Sequence, residues 1–217
     1  MLRAVLLSQW RESRLAVVVL AAAAFGTPFL STWGDPPGSD PLGYFHLMTR
    51  VWQWGTVYPL IALAAALVIG LGVWRPDRRK GHVYALTLPV PRPRYLLLRY
   101  ACGALLLLPV AGALLLGAVA VTAPLQLPPL LHAYPAGLTS RFLLAVGVAY
   151  TLFFAAGGLT PRVARVLVAG FLVLFILTAA ADALGFAWKP LPVVLDAVFA
   201  PAGPLGVFRG RWMLIDA

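Results

Sequence analysis

The sequence predicts an all-α fold: a polytopic transmembrane helical bundle with five or six spanning helices, organised as one membrane domain over residues 1–217. Three observations predict it. The chain is 61% hydrophobic and only 11% charged, with a mean hydropathy of +0.88, whereas soluble domains hold about 45–50% apolar and about 25% charged residues. The apolar residues come in blocks of roughly 18–20, the length that carries a helix across a ~30 Å hydrocarbon core. Apart from Arg99 and Arg165, near the starts of two blocks, the Lys and Arg residues lie in the segments between or beside those blocks, as topology signals do.

Residues 1–14 mix apolar and basic groups, with Leu2, Leu6 and Trp10 at helical spacing. They read either as an amphipathic segment lying on the membrane interface or as the start of the first membrane helix, residues 15–33. Basic residues before an apolar run also fit a cleavable signal peptide. The leading segment is long for one, and the alternating topology works better with the helix retained. Residues 34–50 hold GDPPGSDP and are expected to form a solvated, turn-dense loop. Trp52, Trp54 and Tyr58 mark an interface level, and residues 55–74 form the second helix. Residues 75–94 are a basic loop punctuated by prolines. Residues 95–121 form the third helix, with Pro109 as a candidate kink. A Pro-rich loop over 123–139 leads to the fourth helix, 142–159, whose Gly147, Ala155, Ala156, Gly157 and Gly158 offer a close-packing face. The fifth helix is 163–184. Residues 191–208 are apolar but contain Asp196, Pro192, Pro201 and Pro204, a load that a spanning helix rarely carries. Residues 185–217 are therefore expected to be an external or re-entrant segment.

Charge placement sets the orientation. With the N-terminus in the cytoplasm, twelve of the seventeen Lys and Arg residues fall inside: Arg3, Arg11, Arg14, Arg75, Arg78, Arg79, Lys80, Arg92, Arg94, Arg99, Arg162 and Arg165. That bias is the positive-inside pattern. It also answers the net charge of +10 without nucleic acid, because the clusters suit anionic lipid headgroups. The expected location is a prokaryotic cytoplasmic (inner) membrane.

The chemistry the chain lacks narrows its function. Ion-coupled carriers hold carboxylates or histidines at mid-helix, and the blocks contain none there. His46, His82 and His132 lie in three separate segments, with no metal-ligand spacing. The single Cys102 sits in an apolar helix and has no second thiol. Neither a G-x-S-x-G elbow nor a GxxxxGK[ST] phosphate loop occurs. The chain is expected not to be an enzyme, and any ATP would have to be bound by a partner.

The most informative stretch is WRPDRRKGHVYALTLPVPRPRYLLLRY, in the basic loop. A cluster of Arg75, Arg78, Arg79 and Lys80 precedes a short amphipathic piece, HVYALTL. A stiff PVPRP turn then leads into the third helix. Positive-inside anchoring accounts for the charge. It does not account for a semi-apolar segment beside a stiff turn, which suits a short element docking into a soluble partner.

This stretch resembles the corresponding loop of type-2 permeases of ABC exporters, through Arg78, Arg79, Gly81, Ala85, Leu86, Leu88, Pro89, Val90, Arg92, Arg94, Tyr95, Leu96 and Leu97. The resemblance is residue-level over about 20 positions and topological over most of the chain. It departs from the family where Asp77 is the only acid of the loop, and in the GRWMLIDA ending. The resemblance implies a pair of such subunits, homo- or heterodimeric, joined to ATP-binding cassette subunits. No cofactor is expected in this chain, with ATP and Mg held on the partner ATPase. The loop would be the docking element, through Arg78, Arg79, Lys80, His82, Tyr84, Leu86, Pro89, Arg92, Arg94 and Tyr95. The substrate would be apolar or amphipathic. A haem-exporter-like permease and a non-transporting membrane scaffold or assembly factor are the alternatives.

Overall fold

A computed structural model describes residues 2–33, 41–75, 91–125, 127, 131–159, 163, 166, 169–170, 173, 176–178, 190–203 and 205–216. Its helices are α1 (Leu2–Thr32), α2 (Pro41–Trp54), α3 (Val57–Gly72), α4 (Arg92–Thr122), α5 (Pro135–Gly158) and α6 (Pro190–Phe199). Two short strands, β1 (His132–Ala133) and β2 (Ile215–Asp216), pair antiparallel. Among the described residues, four candidate spans are long and apolar enough to cross a bilayer: Val5–Thr32, Phe45–Gly72, Pro93–Thr122 and Pro135–Gly158. The chain is thus a helical membrane bundle.

Several boundaries differ from the sequence reading. Residues 2–14 continue into the first membrane helix without a break, so α1 runs for 31 residues. Pro28 lies in its last turns, where Ser31 and Thr32 hydroxyls donate to the Pro28 carbonyl at 2.8 and 3.0 Å. The expected loop over 34–50 is helical from Pro41 onward. A turn at Gly55 and Thr56 then joins α2 to α3. Proline is favourable in the first turn of a helix, where its missing N–H has no partner to lose. Pro93 and Pro135 occupy that position in α4 and α5. Pro93 therefore belongs to a helix rather than to a turn, and α5 begins inside the segment expected to be a loop.

The helices pair in two parallel sets. Gln9 and Leu106 line one cavity, and Gly117 lies against the Phe25 carbonyl, so α1 and α4 advance together. Gly70 meets Phe153, and Gly157 meets Trp74, so α3 and α5 advance together in the opposite sense. Small residues allow this. Ala62, Ala65, Ala66 and Gly70 are buried on α3, and a Cβ at Gly70 would come within 2.9 Å of the Phe153 Cβ. Between helices in lipid, such close van der Waals packing replaces the hydrophobic effect as the cohesive force. Large apolar side chains such as Leu15, Val18, Leu108, Leu116 and Leu144 remain exposed, as lipid-facing residues are.

The described residues of the expected fifth helix (Val163, Val166, Ala169, Gly170, Val173 and Ile176–Thr178) are helical. The rest of that block, with Asp182, lies outside the described residues. α6 has 10 residues, about 15 Å at 1.5 Å per residue, half the hydrocarbon thickness. It does not cross.

The tail, residues 205–216, closes one end of the bundle. β2 pairs with β1, and the Tyr134 N–H donates to the Leu214 carbonyl at 2.9 Å. Trp212, Leu214 and Ile215 are buried. Arg141, in the second turn of α5, holds the tail from above. Its Nε and Nη2 donate to the Val207 carbonyl at 3.3 Å, and its Nη atoms donate to the Arg209 and Arg211 carbonyls. The guanidinium lies 4.7 Å from the Trp212 ring centroid, a cation–π contact. Gly210 takes a φ of +94°, a left-handed conformation that a side chain disfavours.

Candidate functional site

Of the expected docking residues, Arg78, Arg79, Lys80, His82, Tyr84, Leu86 and Pro89 lie outside the described residues. What is described is where the loop enters and leaves the bundle. α3 ends at Gly72, and Val73, Trp74 and Arg75 follow it toward the loop. Pro91 is the N-cap of α4, with φ −55° and ψ 132°. Arg75 and Arg94 are exposed. Tyr95, expected on the docking face, is instead buried.

The reason is Arg99, one helical turn further along α4. Arg99 is only 4% exposed. Its guanidinium carbon stands 5.3 Å from the Tyr95 ring and 5.7 Å from the Trp74 ring. A cation over aromatic faces is attracted by their quadrupole, more strongly where water is excluded. One guanidinium thus joins Trp74, just past the end of α3, to the first turns of α4, and brings the two feet of the loop together.

Trp74 carries the arrangement on to α5. Its indole Nε1 donates to the Phe154 carbonyl at 2.8 Å, and its ring lies 5.1 Å from that of Phe154. Gly157 and Gly158 face the indole so closely that a Cβ at either would collide with it. The Tyr150 hydroxyl donates to the Tyr100 carbonyl at 2.9 Å. The Tyr100 hydroxyl and Thr151 Oγ1 share a bond of 2.8 Å, and Gly103 makes room for the Tyr150 hydroxyl. The loop therefore rises from a foot of packed aromatics spanning α3, α4 and α5, with a buried cation at its centre.

A second polar feature lies at this end. Gln9 of α1 is 5% exposed, and neither atom of its amide has a hydrogen-bond partner among the described residues. It borders a cavity of about 30 Å³ shared with Glu12, Ser13 and Arg75. That is room for a water molecule or two. The size excludes a transported molecule. Among the described residues, no group of three His, Cys, Asp or Glu side chains is placed to hold a metal ion.

Sequence reasoning missed Trp74, Arg99, Tyr100, Tyr150 and Phe154. Arg99 was legible only as one more inside charge. The signal that could have singled it out is its depth: it is five residues beyond Arg94, inside an otherwise apolar run. The expected close-packing face of α5 holds in part. Gly157 and Gly158 pack on Trp74, whereas Gly147 faces open space and Ala155 and Ala156 are exposed.

No family model, curated protein or solved structure matches the chain.

Proposed function

We propose that the chain is the membrane-spanning subunit of an ATP-driven exporter of the ABC type, and that the loop over 75–94 couples it to a separate ATPase. The observation that carries this reading is the foot of the loop. A docking element transmits force only if its base is stiff. Here Arg99, Trp74, Tyr95 and Phe154 fix both ends of the loop to three helices. A displacement of the loop would move α3, α4 and α5 rather than be absorbed in a hinge. ATP and Mg reside on the partner, and the substrate is apolar or amphipathic, since charged groups in the spans are limited to their ends.

The same reading takes the chain across the membrane five times, with the N-terminus cytoplasmic. α5 ends beside Trp74 at the loop end, whereas the tail sits at the other end, about 36 Å away for a helix of 24 residues. The helical residues described between them, Val163 to Thr178, are largely exposed, as a lipid-facing return helix would be.

The test is co-expression with the genes that neighbour this chain's own, followed by pull-down through a tag on the chain. ATPase activity is expected in the recovered complex, and it should be lost when residues 84–95 are replaced by Gly/Ser. Recovery unchanged by that replacement rejects the loop as the docking element. No ATPase recovered with the intact chain favours the non-transporting scaffold.

A further inference from the structure

We propose that the notch at the α2–α3 junction is a binding site for one phospholipid, with its phosphate on Arg211 and an acyl chain along Leu60. The site is separate from the loop and does not rest on the exporter reading.

The notch has a structural cause. Gly55 and Thr56 interrupt the helix between α2 and α3, and the tail crosses over the break. A Cβ at Gly55 would lie 2.7 Å from the Trp212 carbonyl oxygen, so only glycine admits the tail so closely. Between the elbow and the tail lies a cleft of about 310 Å³. Trp52 and Leu60 line it from the helices, and Phe208, Arg211 and Met213 from the tail.

Three features identify the occupant. The first is depth. α3 has 16 residues, about 24 Å, so it and its flanking turns account for the ~30 Å hydrocarbon core. α2, with His46, Thr49, Arg50 and Gln53, is too polar to lie inside that core. The elbow therefore stands at the boundary between headgroups and acyl chains, where tryptophans collect. The second is continuity with the lipid face. Leu60 is 62% exposed on membrane-spanning α3, and Trp52, also 62% exposed, stands just beyond it at the interface level, so the cleft opens sideways onto the upper acyl chains. The third is charge. Arg211 is exposed, and its planar guanidinium matches a phosphodiester in a bidentate fork. Its backbone carbonyl is engaged by Arg141, which fixes where the side chain starts. An apolar, aromatic-walled cleft with a single cation has the chemistry of an acyl chain joined to a phosphate.

The experiment uses the full chain purified in mild detergent and native mass spectrometry. Phosphatidylglycerol, diacylglycerol and inorganic phosphate are added separately at equal concentration. One phosphatidylglycerol should be retained per chain. Diacylglycerol, which lacks the phosphate, should be retained about tenfold less, the ratio expected for losing one charge-assisted contact. Inorganic phosphate, which lacks the acyl chain, should be retained at least about tenfold less for the lost apolar burial. Arg211→Ala keeps the backbone carbonyl and should lower phosphatidylglycerol retention about tenfold. Leu60→Trp, on the lipid face, fills the cleft and should lower it as well. Arg3→Ala, an exposed arginine at the other end of the bundle, should change nothing. The proposal is overturned if diacylglycerol or phosphate is retained as well as the phospholipid. It is equally overturned if both cleft variants retain wild-type amounts, or if Arg3→Ala causes the same loss.

Discussion

Trp74 shows how much one side chain organises in a membrane bundle. It donates to α5, packs at a tilt against the Phe154 ring and accepts the Arg99 cation on its face. Two consecutive glycines on α5 make the space for it. Interiors are close-packed, so added volume must displace a neighbour, typically at about 1–3 kcal/mol. Gly157→Leu should therefore lower the thermal unfolding midpoint in detergent clearly, whereas Gly147→Leu, placed in open space, should leave it unchanged. Equal midpoints for the two variants would contradict the packing described here. The sequence displays both glycines alike, and the difference is rotational. Ten residues are 2.8 helical turns, so Gly147 and Gly157 are about 80° apart around α5. Knowing which side faces α3 needs the partner helix. Arg99 was hidden for the same reason: its charge is visible in the sequence, but the two aromatic faces that bury it come from different elements.

At the scale of elements, the apolar blocks were legible and their polar extensions were not. Hydropathy finds α3 because it is almost uniformly apolar. It misses α2, whose His46, Thr49, Arg50 and Gln53 interrupt the apolar run. The turn signals of residues 34–40 are strong but stop at Pro41, and a proline can open a helix as readily as close a loop. The tail was illegible for another reason. β1 and β2 have two residues each and lie some eighty positions apart, so no local pattern announces their pairing. Arg141 carries no sequence motif that marks it out, yet it gathers three carbonyls from Val207 to Arg211. Hydrogen bonds from a charged donor are worth about 1.5–3 kcal/mol. Arg141→Ala should thus free the tail and expose Arg209 and Arg211 to trypsin, with cleavage there about tenfold faster in detergent. Arg141→Lys keeps the charge but not the fork, and should fall between the two. Cleavage at the wild-type rate in Arg141→Ala would show that the strand pair and Trp212 hold the tail without the arginine.

At the scale of the whole molecule, Lys and Arg placement predicts an orientation, and the packing determines which segments share an end. The arginine-rich α1 start, Arg75 and Arg94 lie at the end where Gln9, Trp74 and Arg99 cluster. The α4–α5 connection, the elbow at Gly55 and the tail lie at the other. This grouping turns the number of crossings into a question about sides. If the chain returns once between α5 and α6, Arg75 and Arg209 face opposite compartments. If it does not return, they share one. Both residues are exposed, so either accepts a cysteine without disturbing the core. Replacing the only native thiol by Cys102→Ser removes the background, and Cys102 is buried in α4, where serine keeps nearly the same volume. In that background, a membrane-impermeant maleimide applied to intact cells should label Arg209→Cys. Arg75→Cys should be labelled only after permeabilisation, because its basic surroundings are retained inside. Labelling of both from one side would remove the fifth crossing. Labelling of Arg75→Cys alone in intact cells would keep the crossing and invert the protein, moving the loop away from any cytoplasmic ATPase and overturning the exporter reading with it.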